Sequence, residues 1–327
     1  MRAVVLEKFG GPLVLRELDK PEAGPGQVLV RIAASGVNPL DTKIAVGQAA
    51  HARIEPPAVL GLDLAGVVEA TGAGVTGFTP GDIVYGLTGG VGKLQGSLAE
   101  YAAVDARLIA HQPTSLDQRQ AAALPLMAIT AWEGLVDRAR VRSGHKVLVH
   151  GGAGGVGHVA VQIARAFGAD VYATASPHKL AVVEQFGATP IDYTATTVEQ
   201  YVAKYTDGQG FDVVYDTVGG AVLDGSFAAV RDYTGHVVSA LGFDSHSIAP
   251  LSFRGATYSG VFTLLPMLTG RSREHHGDIL REVTELVQQG AITPLLDPRH
   301  FTLGTVTDAH TAIGDRTATG KIIVDVG

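Results

Sequence analysis

KVLVHGGAGGVGHVAVQIARAFGADVYATASPHK, Lys146–Lys179, is the stretch that decides the fold. Lys146 to His150 is a short apolar run of strand length. HGGAGGVG, His150–Gly157, follows at once. In it Gly152, Gly154 and Gly157 satisfy G-x-G-x-x-G, and Gly151, Gly154 and Gly157 satisfy a G-x-x-G-x-x-G variant. Val156, Val159, Ala160, Ile163 and Phe167 then recur at helical spacing, and Gly168 is a C-terminal stop. Asp170 to Ala175 is strand-like again. In this order the glycines point to dinucleotide binding. The turn is tight, a backbone without Cβ atoms admits a pyrophosphate, and helix N–H groups face the anion. The bland alternative is a glycine-rich strand-to-helix turn with no ligand.

The end of the second strand selects the dinucleotide. NAD sites place an acid about 20 residues after the glycines, on the ribose 2′-OH. Here that place reads Thr174-Ala175-Ser176-Pro177-His178-Lys179, without a carboxylate. Ser176 offers a donor to a 2′-phosphate and Lys179 a positive charge, which favours NADP(H). Ser176 before Pro177 is also an N-cap followed by N1, and Lys179 also suits a solvated first turn.

Working outward, residues 1 to about 125 read as short strands separated by turns. Val28, Val30 and Ile32 alternate with other residues in one of them. From about Leu124 to Thr263 strands and helices alternate. Further strands are expected at Pro190–Tyr193, Phe211–Asp216, His236–Leu241 and Thr257–Thr263. Six strands with intervening helices imply a doubly wound parallel sheet. A helix through Ile279, Val283, Leu286 and Val287 stops at Gly290, and Thr293–Gly327 returns to β character. The simplest arrangement is a β-barrel-type domain from residues 1–125 and 266–327, interrupted by an α/β domain at 126–265.

The 327 residues carry 25 Lys+Arg against 32 Asp+Glu, a net charge of −7. That balance and the lack of a basic run argue against nucleic acid as a partner. With no cysteine, a thiolate zinc site, an iron–sulfur cluster and a cysteine nucleophile are excluded. No apolar run approaches the roughly 18 residues that span a bilayer, so no membrane is expected and a cytoplasmic location is the default. His275-His276 lie on a charged helix start where exposure is expected, and no stretch has metal-site spacing.

Longer stretches resemble one family. SGVNPLDTKIAVG (Ser35–Gly47), LGLDLAGVVEATGAGVTGFTPGDIVYG (Leu60–Gly86), the glycine turn and GFDVVYDTVGG (Gly210–Gly220) are similar to the zinc-free medium-chain dehydrogenase/reductases, in the quinone oxidoreductase (zeta-crystallin-like) branch. The resemblance spans essentially the full chain. It implies a GroES-like domain with an inserted six-stranded Rossmann domain, and an NADPH-dependent reductase of quinones or α,β-unsaturated carbonyl compounds. Rival expectations are an enoyl or alkenal reductase of this fold, and a non-catalytic NADPH-binding protein, crystallin-like or RNA-binding.

The resemblance also implies roles by position. Gly154, Gly155 and Val156 fall at the pyrophosphate, and Ser176, Lys179 and Tyr193 at the 2′-phosphate and adenosine ribose. Asn38 and Thr130 fall at the nicotinamide end, where catalysis is expected. Leu241, Gly242, Phe262 and Thr263 flank the nicotinamide pocket, and Arg316 lies where some relatives reach the cofactor. Bland alternatives stand beside these: Asn38-Pro39 is good turn chemistry, Tyr193 suits a ring packed on the sheet, and Arg316 suits a solvated loop. Zinc-dependent relatives carry Cys where this chain has Asn38 and His-Glu where it has Leu62-Asp63. The Tyr frequent after the Asp-Thr pair in quinone reductases is missing; Lys43 and Gln48-Ala49-Ala50-His51 stand there instead. A homodimer through the edge strand Thr257–Thr263 is expected from the family and from the β-rich, uncharged sequence.

Overall fold

The computed structural model covers residues 1–327. The chain divides into two compact units. One holds Met1–Leu126, Leu264–Gly290 and Pro294–Gly327; the other holds Met127–Thr263 and Ala291–Thr293.

In the first unit the strands β1 (Arg2–Leu6), β2 (Leu13–Glu17), β3 (Gln27–Gly36), β4 (Ala58–Val59), β5 (Asp63–Thr71), β6 (Ile83–Leu87), β7 (Tyr101–Asp105) and β8 (Ile109–His111) precede the insertion. In β3 Val28, Val30 and Ile32 are fully buried and Arg31 is exposed, as a period of two dictates, while Leu29 on the other face is buried as well. β3 is the hub of this unit, antiparallel to both β5 and β7.

The second unit carries β9 (Lys146–His150), β10 (Asp170–Ala175), β11 (Thr189–Asp192), β12 (Val213–Asp216), β13 (His236–Ser239) and β14 (Thr257–Gly260). They form one parallel sheet in the order β11-β10-β9-β12-β13-β14. The order reverses beside β9, which is where such sheets bind ligands. Leu148, Tyr201, Phe211, Val214, Phe227 and Val237 build a core on one face of the sheet.

The C-terminal segment closes the first unit with β15 (Phe301–Thr302) and β16 (Ile323–Asp325), the latter antiparallel to β3. It is not purely β, as its sequence suggested: Val306–Gly314 is a helix that buries Val306, Ala309 and Ala312. Three small residues spaced i+3 make a narrow stripe, which the surrounding threonines mask in the sequence. Other differences are local. β14 stops at Gly260, so Phe262 and Thr263 lie beyond the strand; β13 stops at Ser239. Pro177–Phe186 divides into a 3-10 turn, Pro177–Lys179, and a helix, Leu180–Gln185. The helix expected around Ile279–Val287 runs Arg273–Gln288, and His276 at its start is fully buried rather than exposed. Its neighbours Ile279, Leu280 and Val283 share that buried face.

A buried charge network ties the two ends of the first unit together. Lys321 donates to Asp63 Oδ2 at 2.8 Å and to Asn38 Oδ1. Asp63 also accepts Asn38 Nδ2 at 2.9 Å and the Leu126 amide at 2.8 Å. Beside it Asp41 accepts the Asn38 amide in a capping box that starts the helix Pro39–Ala45. Breaking such a pair strands a buried charge, at about 3–5 kcal/mol. Burial pushes the Asp41 carboxyl up to about 7, despite the Asn38 amide and Lys321 pulling it down.

The folded state therefore holds a proton on Asp41 that the unfolded chain releases near pH 4. Stability falls as pH rises from about 4 to about 7 and is flat in this respect above that. Asp41→Asn is expected to remove that slope: its Tm relative to wild type is higher at pH 8 than at pH 5 in calorimetric scans. Parallel Tm–pH profiles for the two proteins would contradict this placement.

Candidate active site

The turn after β9 is built by absent side chains. Gly151 has φ +73°, in the left-handed region that glycine occupies without strain. A Cβ on Gly152 would lie 2.4 Å from Ala173 Cβ of β10, and one on Gly157 2.1 Å from the Gly151 carbonyl. The missing atoms let the helix Gly155–Ala166 start directly against the sheet. Gly154 is its N-cap and brings no capping side chain. The first intrahelical bond is His158 N–H to Gly154 C=O. The amides of Gly155, Val156 and Gly157 precede it and remain for an anion.

This turn lines a cavity of about 780 Å³, within the size range of ligand sites. Gly154, Ser176, Lys179 and Tyr193 all line it, so four of the residues singled out in the sequence come together here. Ser176 is the N-cap of the 3-10 turn, yet its side chain makes no capping bond; Oγ lies 3.4 Å from His178 Nε2. Lys179 makes no ion pair within the chain. Tyr193 is 58% exposed, so it is not an aromatic packed on the sheet. Glu199 is the one carboxylate on the wall. It lies in the first turn of the helix Val198–Thr206, where its own amide and Thr197 hold its carboxyl below the usual range. No acid stands at the end of β10.

Asp216, at the end of β12, organises the neighbouring loops and was not read as functional in the sequence. Its buried carboxylate accepts Val218 N–H at 3.0 Å, Gly219 N–H at 3.0 Å and Ser239 O–H at 2.7 Å. Ser239 Oγ in turn accepts the Leu241 amide at 3.1 Å. The signal was an acid closing the apolar run Val213–Tyr215. Gly242 follows, and a Cβ there would meet Tyr258 Oη at 2.2 Å. Leu241 is 37% exposed, and Phe262 stands edge-on to Phe243 at 6.5 Å. Thr130 and Thr263 are buried with their hydroxyl oxygens 3.0 Å apart, and Tyr215 Oη donates to the Thr130 carbonyl at 2.8 Å.

Asn38 and Arg316 belong to the other unit. Asn38 is buried, with its amide hydrogens on Gly36 C=O and Asp63 and its oxygen accepting Lys321. These bonds leave it no hydrogen for a substrate oxygen. Arg316 is exposed, with φ +56° after the helix Val306–Gly314.

The residues fit a phosphorylated dinucleotide: free helix amides and glycine clearances for a pyrophosphate, and an unpaired lysine with a hydroxyl beside it for a further phosphate. They do not fit zinc. No group of three or more His, Cys, Asp or Glu is arranged to hold a metal, and Asp63 is neutralised by Lys321.

Two family profiles match the chain: "alcohol dehydrogenase GroES-like domain" over residues 24–114 and "zinc-binding dehydrogenase" over residues 186–324. The chloroplastic NADPH-dependent alkenal/one oxidoreductase of Arabidopsis thaliana is 36% identical over 99% of this chain and 79% of its own length. A solved alcohol dehydrogenase superfamily protein from Novosphingobium aromaticivorans is 55% identical, with a TM-score of 0.98 and both chains fully covered. The quinone oxidoreductase of Coxiella burnetii is 28% identical, with a TM-score of 0.85 over 100% of this chain and 99% of that one.

Lys179→Ala is expected to weaken adenosine 2′,5′-bisphosphate about 10- to 100-fold in calorimetric titration, the worth of one charge-assisted bond to a phosphate. Binding of 5′-AMP, which lacks the 2′-phosphate, is expected to change little. Equal losses for both ligands would remove Lys179 from 2′-phosphate recognition.

Proposed function

The chain belongs to the zinc-free medium-chain dehydrogenase/reductase family, and from that premise we propose that it is an NADPH-dependent reductase of α,β-unsaturated carbonyl compounds, with quinones as a second class of acceptor. The observation that carries this reading is the cavity that joins the glycine turn to Ser176 and Lys179, with no carboxylate at the end of β10. The Arabidopsis relative, which spans almost all of this chain, supports enones; the more distant Coxiella structure supports quinones.

Bound NADPH supplies the hydride. The amides of Gly155 and Val156 hold the pyrophosphate, and Ser176 and Lys179 hold the 2′-phosphate, with Tyr193 beside the adenosine. Leu241, Gly242 and Phe262 flank the nicotinamide and exclude water. Asn38, spent on Lys321 and Asp63, acts as a positioning residue. The Thr130–Thr263 hydroxyl pair is then the hydrogen-bond source for the acceptor oxygen. An enone or quinone needs little more, because the arriving electron pair is delocalised onto that oxygen. A simple carbonyl would build a localised alkoxide, for which this donor set has no Lewis acid.

We also propose a homodimer through β14. That strand is the sheet edge, Thr257 and Val261 donate inward to Gly235 and Ser239, and the amides of Tyr258 and Gly260 face outward. Nearby, Phe253 is 90% exposed and Tyr233 86%. Gly260→Pro removes an outward amide and spares the inward ladder. A dimer for wild type and a monomer for this variant are expected in sedimentation at micromolar concentration; a wild-type monomer would refute the pairing.

The activity is tested with NADPH deuterated at the transferable position and a 2-alkenal or an enone. Deuterium is expected at the β-carbon of a saturated product. Consumption of NADPH only with an ortho-quinone would make quinones the substrate class. No turnover with either acceptor would overturn the reductase reading.

A further inference from the structure

Buried polar atoms in a folded chain nearly always have partners, so an exception calls for a cause. One exception stands at the dinucleotide cavity. His150 ends β9, is 4% exposed and lines the cavity. Its Nε2 has no hydrogen-bond partner.

The surrounding bonds suit one tautomer. His150 Nδ1 lies 3.2 Å from Thr174 Oγ1, and Thr174 Oγ1 also accepts the Gly151 amide at 3.2 Å. A threonine hydroxyl has one proton to give. We assign that proton to Nδ1, which puts the ring proton on Nε2. Burial holds the imidazole neutral, its pKa lowered to about 4, with the Asp216 charge opposing that shift. Asp216 sits opposite His150 in the β9–β12 register, but its carboxylate is occupied by Ser239, Val218 and Gly219. The result is a buried N–H donor with no acceptor in the chain, on a residue that lines the same cavity as Ser176, Lys179 and Tyr193.

We propose that His150 is a cofactor-positioning residue whose Nε2–H donates to an acceptor atom on the adenosine half of the dinucleotide. The proposal rests on the NADPH reading above and adds to it a contact outside the glycine turn. It makes the residue unfavourable for the empty protein and favourable for the complex. In the empty protein a buried donor goes unpaired; in the complex the same donor is paired.

That opposition supplies the test. His150→Leu is expected to leave the Tm of the ligand-free protein unchanged or raised, while weakening adenosine 2′,5′-bisphosphate about 10-fold in calorimetric titration. His150→Gln, whose amide nitrogen reaches about as far as Nε2, is expected to recover most of that affinity. A purely structural histidine would show the reverse, a lowered Tm with unchanged affinity, and that result would overturn the proposal. Wild type that binds neither this probe nor NADPH would overturn the NADPH reading and the proposal with it; wild type that binds, with His150→Leu binding equally, overturns the proposal alone. In the wild-type protein itself, the imidazole ¹⁵N–¹H signal of His150 Nε2 is expected to shift when the probe is added, and an unmoved signal would also overturn it.

Discussion

How closely the turn after β9 approaches β10 determines what the second unit holds. Gly152 packs where its Cβ would lie 2.4 Å from Ala173, and Gly157 where its Cβ would lie 2.1 Å from the Gly151 carbonyl. Any side chain at either place would lift the helix Gly155–Ala166 off the sheet. With the helix seated, its N-cap Gly154 lines the cavity, and so does His150 at the end of β9. The ends of β10 and β12 then complete the wall, the first with Ser176 and Lys179, the second with loops gathered by Asp216. The free backbone donors are thus a consequence of packing, since no Cβ stands in front of them.

The first unit solves a different problem. Asp63 is fully buried, and this chain answers its charge with Lys321. The lysine arrives from the far end of the sequence, beside β16. Its second bond, to Asn38, and the capping box of Asp41 and Asn38 hold the start of the helix Pro39–Ala45.

What was legible in the sequence follows the range of the interaction. The glycine turn, the six parallel strands and the absence of an acid near Lys179 are local, and the structure has them where the pattern placed them. Asn38 was read as a turn residue or a nicotinamide contact; its partners lie 25 and 283 positions away, beyond any local pattern. The helix Val306–Gly314 was masked because alanines and threonines make a weak stripe. His276 looked exposed among charged neighbours, although the apolar face of its own helix carries it inward. His150 was visible as the first letter of the glycine motif, but its unpaired nitrogen depends on Thr174 of the neighbouring strand. Sequence resemblance placed Ser176, Lys179 and Tyr193 on one site, and the cavity brings them together.

The central claim is that this cavity prefers the phosphorylated dinucleotide. Its most direct test is the dissociation constant of the wild-type protein for NADPH and for NADH, measured side by side by quenching of protein fluorescence at one ionic strength. The account predicts NADPH tighter by about 10-fold or more, the worth of one charge-assisted phosphate contact. Equal affinity, or tighter binding of NADH, would contradict it.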